Sequence, residues 1–140
     1  MTLRKSVLIA LCGGLLAGCF SGGATAIDQE MTDLQGIMHL LHVAARQTGR
    51  PPARLSDLDP FQSKWPEAYN SVKSGDFVVL WGTPINWGMR TKTKGDVGKP
   101  ELVLAYGKAV PTDGGYVLTS AGKVTKMSAA EFASAPKTKK

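Results

Sequence analysis

The chain has 140 residues, of which 20% are charged and 43% are hydrophobic, and its formal net charge is +6. This length predicts a single domain with its own core. The modest positive charge excludes the dense basic field of a nucleic-acid-binding protein, so we expect no nucleic-acid partner.

Residues 1–18 have the pattern of an export signal. Arg4 and Lys5 supply the positive charge, and the apolar run 7–16 follows them. A helix that crosses a membrane takes about 20 apolar residues, so this run is too short to be a membrane span. A signal peptide that is cleaved further along, near residues 24–26, is the alternative.

The signal closes on Leu16-Ala17-Gly18-Cys19, which resembles the bacterial lipobox. The resemblance implies that residues 1–18 are removed and that Cys19 carries lipid, which includes acyl chains such as palmitate. Two or more chains anchor a protein stably, so a membrane anchor without a span is expected. Loss of Arg4 and Lys5 lowers the net charge from +6 to +4. Loss of Cys12 and use of Cys19 leave no cysteine for a disulfide.

The lipobox also predicts the location. We expect the protein in the cell envelope, anchored to the inner or the outer membrane, with its domain in the periplasm or otherwise outside the cytoplasmic membrane. Phe20 follows the cysteine, where an aspartate would favour inner-membrane retention in some bacteria. The choice of membrane therefore stays open.

After the cysteine, residues 19–26 are rich in Ser, Gly and Ala, which is typical of a flexible tether. From Ile27 the apolar residues recur at helical spacing and predict one helix of about 20 residues. The stripe consists of Ile27, Met31, Leu34, Met38, Leu41 and Ala45, and Ile37 and Ala44 widen it. Gly49 and the prolines that follow predict the end of the helix.

The next segment predicts a turn and a short helical stretch in which Leu55 and Leu58 dock on the long helix. Residues 59–75 are expected to be irregular because Pro60, Pro66 and Gly75 interrupt them.

The remainder is typical of strands, at 76–81, 101–106, 115–119 and 123–127. Segment 76–81 is apolar at both parities, which favours a central strand that is covered on both faces. Ser128 and Glu131 form a capping box that starts a last helical turn, and residues 136–140 are expected to be a frayed basic tail. Residues 27–135 are thus predicted to form an α+β domain, with one long N-terminal helix on a three- to four-stranded antiparallel sheet.

This order of elements resembles the globular domains of type II secretion pseudopilins and of other type IV pilin-like proteins. Those domains have a Gly-x-x-Pro-x-x-Leu-x-x-Leu turn after the helix, and Gly49, Pro52, Leu55 and Leu58 stand at these positions. The segment 81–85, Trp-Gly-Thr-Pro-Ile, resembles the Trp-Gly-x-Pro-aromatic segment of the same family. The resemblance implies a pilin-like fold over roughly residues 30–127.

Two histidines and an arginine mark one flank of the long helix. His39 and His42 are three residues apart beside Arg46 and are predicted to face solvent or a protein partner. Their spacing would also suit a metal ion, but no Asp, Glu or Cys completes a ligand set at helical spacing, and Arg46 would repel a cation. We therefore expect no metal and no cofactor; a metal-dependent enzyme is the alternative.

Arg90, Lys92 and Lys94 alternate, so in an extended segment their side chains point to one side. With the C-terminal lysines they form a candidate site for anionic glycans or lipid headgroups. The simpler interpretation is a loop or edge strand that charge keeps soluble.

The sequence lacks a Gly-x-Ser-x-Gly elbow and a Cys/His pair, so catalysis is not expected. It predicts a non-enzymatic, membrane-anchored lipoprotein that acts through protein contacts, in a type II secretion or pilus-like assembly. The alternative function is the anion-binding module.

Overall fold

The computed structural model describes residues 22–86 and 100–139, with the side chains of the first helix from Gln29 onward. The elements in chain order are α1 (Gly22–Thr48), a 3-10 helix (Leu55–Phe61), α2 (Pro66–Ser74), β1 (Phe77–Val79), β2 (Val103–Gly107), α3 (Val110–Asp113), β3 (Gly115–Thr119), β4 (Val124–Met127) and α4 (Ala129–Ser134). This mixture of helices and one sheet agrees with the predicted α+β class. Within the described residues, none of the helices combines the length and the apolar character that a membrane crossing requires.

Helix α1 buries one side against the sheet and the other helices. Its fully buried side chains recur at helical spacing and are Leu34, Ile37, Leu40, Leu41, Ala44 and Ala45. The predicted stripe is therefore confirmed in its central part, whereas Met31 and Met38 at its margin are half-buried. The apolar period of about 3.6 residues explains why this stretch is a helix with one buried face.

The carboxyl-terminal end of α1 agrees with the prediction, whereas its amino-terminal end lies earlier than predicted. The helix begins at Gly22, five residues before Ile27, so residues 22–26 of the expected tether are helical. Ala24 and Ala26 have the highest helix propensity, and an established helix extends by one hydrogen bond per residue. At the other end Gly49 has φ 71°, which confirms the predicted C-terminal stop.

A second helix lies in the segment that was predicted to be irregular, and that prediction was wrong. Pro66 occupies the first turn of α2, and Gly75 ends it with φ 82°. Proline at the start and glycine just past the end are helix boundaries, and the sequence interpretation took them for loop signals. A Cβ on Gly36 would lie 3.5 Å from the Cβ of Ala68, so this glycine lets α1 and α2 approach closely.

The four strands form one antiparallel sheet in chain order, β1-β2-β3-β4. All four predicted strands are present: β3 has the predicted bounds, β1 and β4 are shorter, and β2 begins two residues later and ends one residue later. Val78 lies opposite Tyr106 and Val117 opposite Thr125. β1 is an edge strand, so its predicted central position was wrong. It is apolar at both parities because Phe77 and Val79 face the main core, while Leu80, the next residue, packs on the opposite face of the sheet.

The face of the sheet away from α1 carries a small second core, here called the back cluster, of Val103, Val110, Val117 and Phe132. α4 brings Phe132 to within 4.6 Å of the Tyr106 ring, measured between centroids. The predicted capping box begins this helix: the Glu131 N–H donates to Ser128 Oγ at 3.2 Å, and the Ser128 N–H donates to Glu131 Oε2 at 2.7 Å.

The carboxyl-terminal residues pack on the domain, and the predicted frayed tail is wrong for residues 136–138. The Val103 N–H donates to the Pro136 carbonyl at 2.9 Å. Lys137 donates to the carbonyl of Phe132 and lies 4.3 Å from the centroid of its ring. Thr138 Oγ1 is 2.9 Å from Thr83 Oγ1. The reason is that β1 ends at Val79, opposite Ala105, so no residue of β1 lies opposite Val103. The Pro136 carbonyl supplies the acceptor that the Val103 N–H would otherwise lack.

Candidate functional site

The candidate flank of α1 is divided between solvent and interior. His39 and Arg46 are exposed, whereas His42 is half-buried and its Nε2 atom is buried. Burial lowers the pKa of His42, and the nearby charges of Arg46 and His39 lower it further. The structure therefore places His39 and Arg46 where a partner can reach them and turns one edge of His42 inward.

The middle of α1 has no charged side chain. From Leu34 to Ala45 the helix contains no Asp, Glu, Lys or Arg. Glu30 precedes this stretch, and its carboxylate lies over the sheet, 2.7 Å from where a Cβ on Gly107 would be. Exposed Gln35 and His39 and half-buried Met38 and Val43 give a mixed polar and apolar surface. Low charge density of this kind is typical of the core of protein interfaces.

The alternative of a metal site at His39 and His42 requires further ligands close to these two side chains. In residues 22–86 and 100–139 no group of three or more His, Cys, Asp or Glu side chains is placed to hold a metal ion. A protein zinc site takes at least three such ligands. His39 and His42 alone do not form one.

Four of the sequence-predicted site residues lie outside the described residues. They are Cys19, the proposed lipidation site, and the alternating cations Arg90, Lys92 and Lys94. The lipid anchor and this part of the anion-binding site stay predictions.

The described C-terminal lysines differ from each other. Lys137 is half-buried, and its ammonium donates to the carbonyls of Phe132 and Ala135, the latter at 3.2 Å. These carbonyls belong to the end of α4, where a cation also interacts favourably with the helix dipole. Lys139 is exposed. Lys137 is therefore engaged within the domain, and the candidate anion site loses one of its predicted contributors.

Sequence reasoning missed a cleft at the carboxyl end of α1. Its volume is about 140 Å³, and its lining consists of Ala45, Gly49, Arg50, Pro51, Pro84 and Ile85. We call it the Arg50 cleft. The sequence analysis had singled out both segments that form it, after Gly49 and after Trp81, but spacing along the chain does not predict that they meet in space.

Hydrogen bonds connect these two segments to each other and to the sheet. The Gly82 N–H donates to the Pro52 carbonyl at 2.8 Å, and the Asn86 N–H donates to the Ser120 carbonyl at 2.8 Å. Ser120 is fully buried, and its Oγ accepts the Leu102 N–H at 3.0 Å. The loop that follows β1 is thus fixed on both sides of the cleft.

Comparison of the chain with protein-family models, with curated proteins and with solved structures finds no match.

Proposed function

We propose that this protein is a lipid-anchored lipoprotein of the bacterial cell envelope that works without catalysis, through contacts with another envelope protein. The observation that carries the proposal is the sequence Leu16-Ala17-Gly18-Cys19 behind a basic and then apolar segment. Lipid on Cys19 supplies about 0.8 kcal/mol of membrane affinity per buried CH₂, so two acyl chains hold the domain at the bilayer.

The contact surface in this proposal is the solvent side of α1 around Gln35, Met38 and His39. Its support is the charge-free stretch from Leu34 to Ala45, because a surface without charges is desolvated at low cost. One rim charge, Arg46, follows in the last turn and would orient a partner more than it would hold it.

We place this protein as an accessory of a type II secretion or pilus-like assembly. Support comes from the two pilin-like segments: Leu58 is fully buried on α1, Ile85 is buried, and the Gly82 N–H is bonded to the Pro52 carbonyl. Pseudopilins begin with a long apolar helix that packs into the filament. A lipid anchor stands in its place here, which favours an accessory over a filament subunit.

Lipidation is tested by metabolic labelling with a palmitate analogue in the producing bacterium. We expect label on the protein, its loss in Cys19→Ser, and its retention in Cys12→Ser, since Cys12 lies in the removed signal. Mass spectrometry of the exported chain then shows acyl chains on residue 19. An exported protein with a free Cys19, or one that starts beyond this residue, would refute the anchor.

Contact is tested by site-specific photo-crosslinking in cells. A crosslinker in place of His39 is expected to capture the same envelope protein repeatedly, and a crosslinker in place of Asn70, which is exposed on α2, is the matched control. Recovery of uncrosslinked monomer from the His39 variant, or equal capture from both positions, would count against the α1 surface.

A further inference from the structure

The Arg50 cleft has the composition of a small binding site. Ala45, Pro51, Pro84 and Ile85 give it apolar walls, and Arg50 is the charged member of its lining. Binding sites for small groups commonly combine mostly apolar walls with a few polar groups that fix orientation. An apolar cavity of about 150 Å³ holds a six-carbon ring, so about 140 Å³ suffices for a leucine side chain.

The walls of the cleft are held by the backbone and do not need to be formed by a ligand. Thr48 Oγ1 lies 2.9 Å from the carbonyl oxygens of both Ala44 and Arg50 and can donate its one proton to either, which ties the turn after α1 to the helix. The Gly82 N–H donates to the Pro52 carbonyl and joins the two walls, and Ile85 is buried. A site that exists before binding costs little ordering entropy when it is filled.

The charge around the cleft favours an anion. Arg46, Arg50 and Arg54 lie at this end of the domain, and Asp57 is the acid that approaches two of them. Its Oδ2 atom accepts the Ala53 N–H at 2.8 Å and lies 3.9 Å from Arg50 Nη1, which is too far for a hydrogen bond. Arg50 thus forms a long ion pair with Asp57, and its side chain is 61% exposed, so its N–H groups stay accessible to a ligand. Together the arginines outweigh the partial negative charge at the end of a helix.

We infer that the Arg50 cleft binds the carboxyl-terminal residue of a partner protein, with an aliphatic side chain against Ile85 and the terminal carboxylate on the guanidinium. The occupant follows from the size and charge of the cleft: Arg50 lines the same small space as the apolar groups, so the anion and the aliphatic group belong to one residue. A guanidinium and a carboxylate form two parallel hydrogen bonds. The inference rests on the proposed function only in that the ligand is a protein.

The test uses N-acetyl-leucine as a probe for a chain terminus and N-acetyl-leucinamide as its uncharged match. Both are titrated into the purified full-length protein, and the methyl signals of Ala45 and Ile85 are followed by NMR. N-acetyl-leucine is expected to shift these signals with a dissociation constant in the millimolar range, as for other ligands of its size. The amide is expected to bind about tenfold more weakly, because it lacks the charge-assisted hydrogen bonds.

Two exposed arginines give a matched pair of variants. Arg50→Gln is expected to weaken N-acetyl-leucine to the level of the amide, about tenfold. Arg54→Gln removes the same charge beside the same Asp57 and is expected to change binding less than about twofold, the difference between a direct contact and a screened one. Unchanged melting temperatures confirm that both variants are folded.

Two results would overturn the inference: no shift of the Ala45 and Ile85 signals up to the solubility limit of the probe, or equal binding of acid and amide. Neither measurement depends on lipid or on cells. A failure here therefore leaves the proposed lipoprotein function untouched, and a free Cys19 in the exported protein would leave the cleft result standing.

Discussion

Removal of residues 136–140 tests whether the carboxyl terminus is part of the domain. The structure gives three contacts to lose: the Val103 N–H to the Pro136 carbonyl, Lys137 on Phe132 and its carbonyl, and the Thr138 hydroxyl on Thr83. A packed carboxyl terminus contributes to the free energy of unfolding, whereas a frayed tail would contribute nothing.

The magnitude follows from each contact. Val103 is buried, so its N–H without an acceptor costs about 1–3 kcal/mol. The Lys137 contact with an aromatic ring contributes about 0.5–1 kcal/mol, and the hydroxyl pair about 1 kcal/mol. Release of three ordered residues returns about 1 kcal/mol each in backbone entropy. With the middle of each range the net loss is about 1 kcal/mol, which lowers the melting temperature by roughly 4 °C for a domain of this size.

Urea denaturation, monitored by tryptophan fluorescence, measures the loss in the free energy of unfolding. Thermal denaturation, monitored by circular dichroism, measures the melting temperature. Removal of residues 139–140 alone is the control and is expected to stay within about 0.5 kcal/mol, because Lys139 is exposed. Lys137→Met keeps the apolar stem and is expected to cost about 1 kcal/mol. Equal stability of the full chain and of the chain that ends at Ala135 would refute the reasoning.

Three further predictions concern buried or strained positions. Gly114 has φ 74° and ψ 177°, and an added Cβ would lie 2.7 Å from the Met127 carbonyl oxygen. Gly114→Ala should therefore lower the free energy of unfolding, measured by urea denaturation, by about 3 kcal/mol or more. Gly49 has φ 71° but open space around a Cβ, so Gly49→Ala should cost only about 1–2 kcal/mol. Equal costs at the two positions would contradict the clash at Gly114. Burial, aided by Arg46 and His39, holds the pKa of His42 below its ordinary value. The unfolded state then binds more protons, so stability is complete above pH of about 6.5 and falls toward pH 5; His42→Gln should flatten this slope, and an unchanged slope would exclude the histidine as its cause. Ser120→Ala removes the buried hydroxyl that accepts the N–H of half-buried Leu102 and should cost about 1–3 kcal/mol. Ser63 is exposed, so Ser63→Ala should stay within about 0.5 kcal/mol; a smaller loss at Ser120 would mean that water replaces the hydroxyl.

The sequence predicted those elements that rest on local periodicity or on a local cap. The buried face of α1, the stop at Gly49 and the capping box at Ser128 are of this kind, because each depends on residues no more than four apart. Helix α2 was missed although its signals are local. Pro66 and Gly75 mark its two ends, but proline and glycine are also common in loops, so the two residues do not identify a helix by themselves.

Contacts between residues far apart in the chain were harder to predict from the sequence. The edge position of β1 was mispredicted because apolar residues at both parities report that both faces of a strand are covered, and not whether the strand is paired along both of its edges. The packing of Pro136 on Val103 joins residues far apart in the chain, and no pattern within either segment signals the pairing. The same holds for the Arg50 cleft, which the turn after Gly49 and the loop before Asn86 form only once the sheet is assembled.

The early start of α1 has a mechanical consequence for an anchored protein. Phe20 and Ser21 alone separate Cys19 from the helix at Gly22, and eight residues, or about 12 Å at 1.5 Å per residue, separate Gly22 from Glu30 beside the sheet. With lipid on Cys19, a helix and not a flexible tether would occupy residues 22–30 between the membrane and the sheet. If the proposed lipid is present, the end of α1 near Gly49 would be the end farther from the lipid surface along the chain.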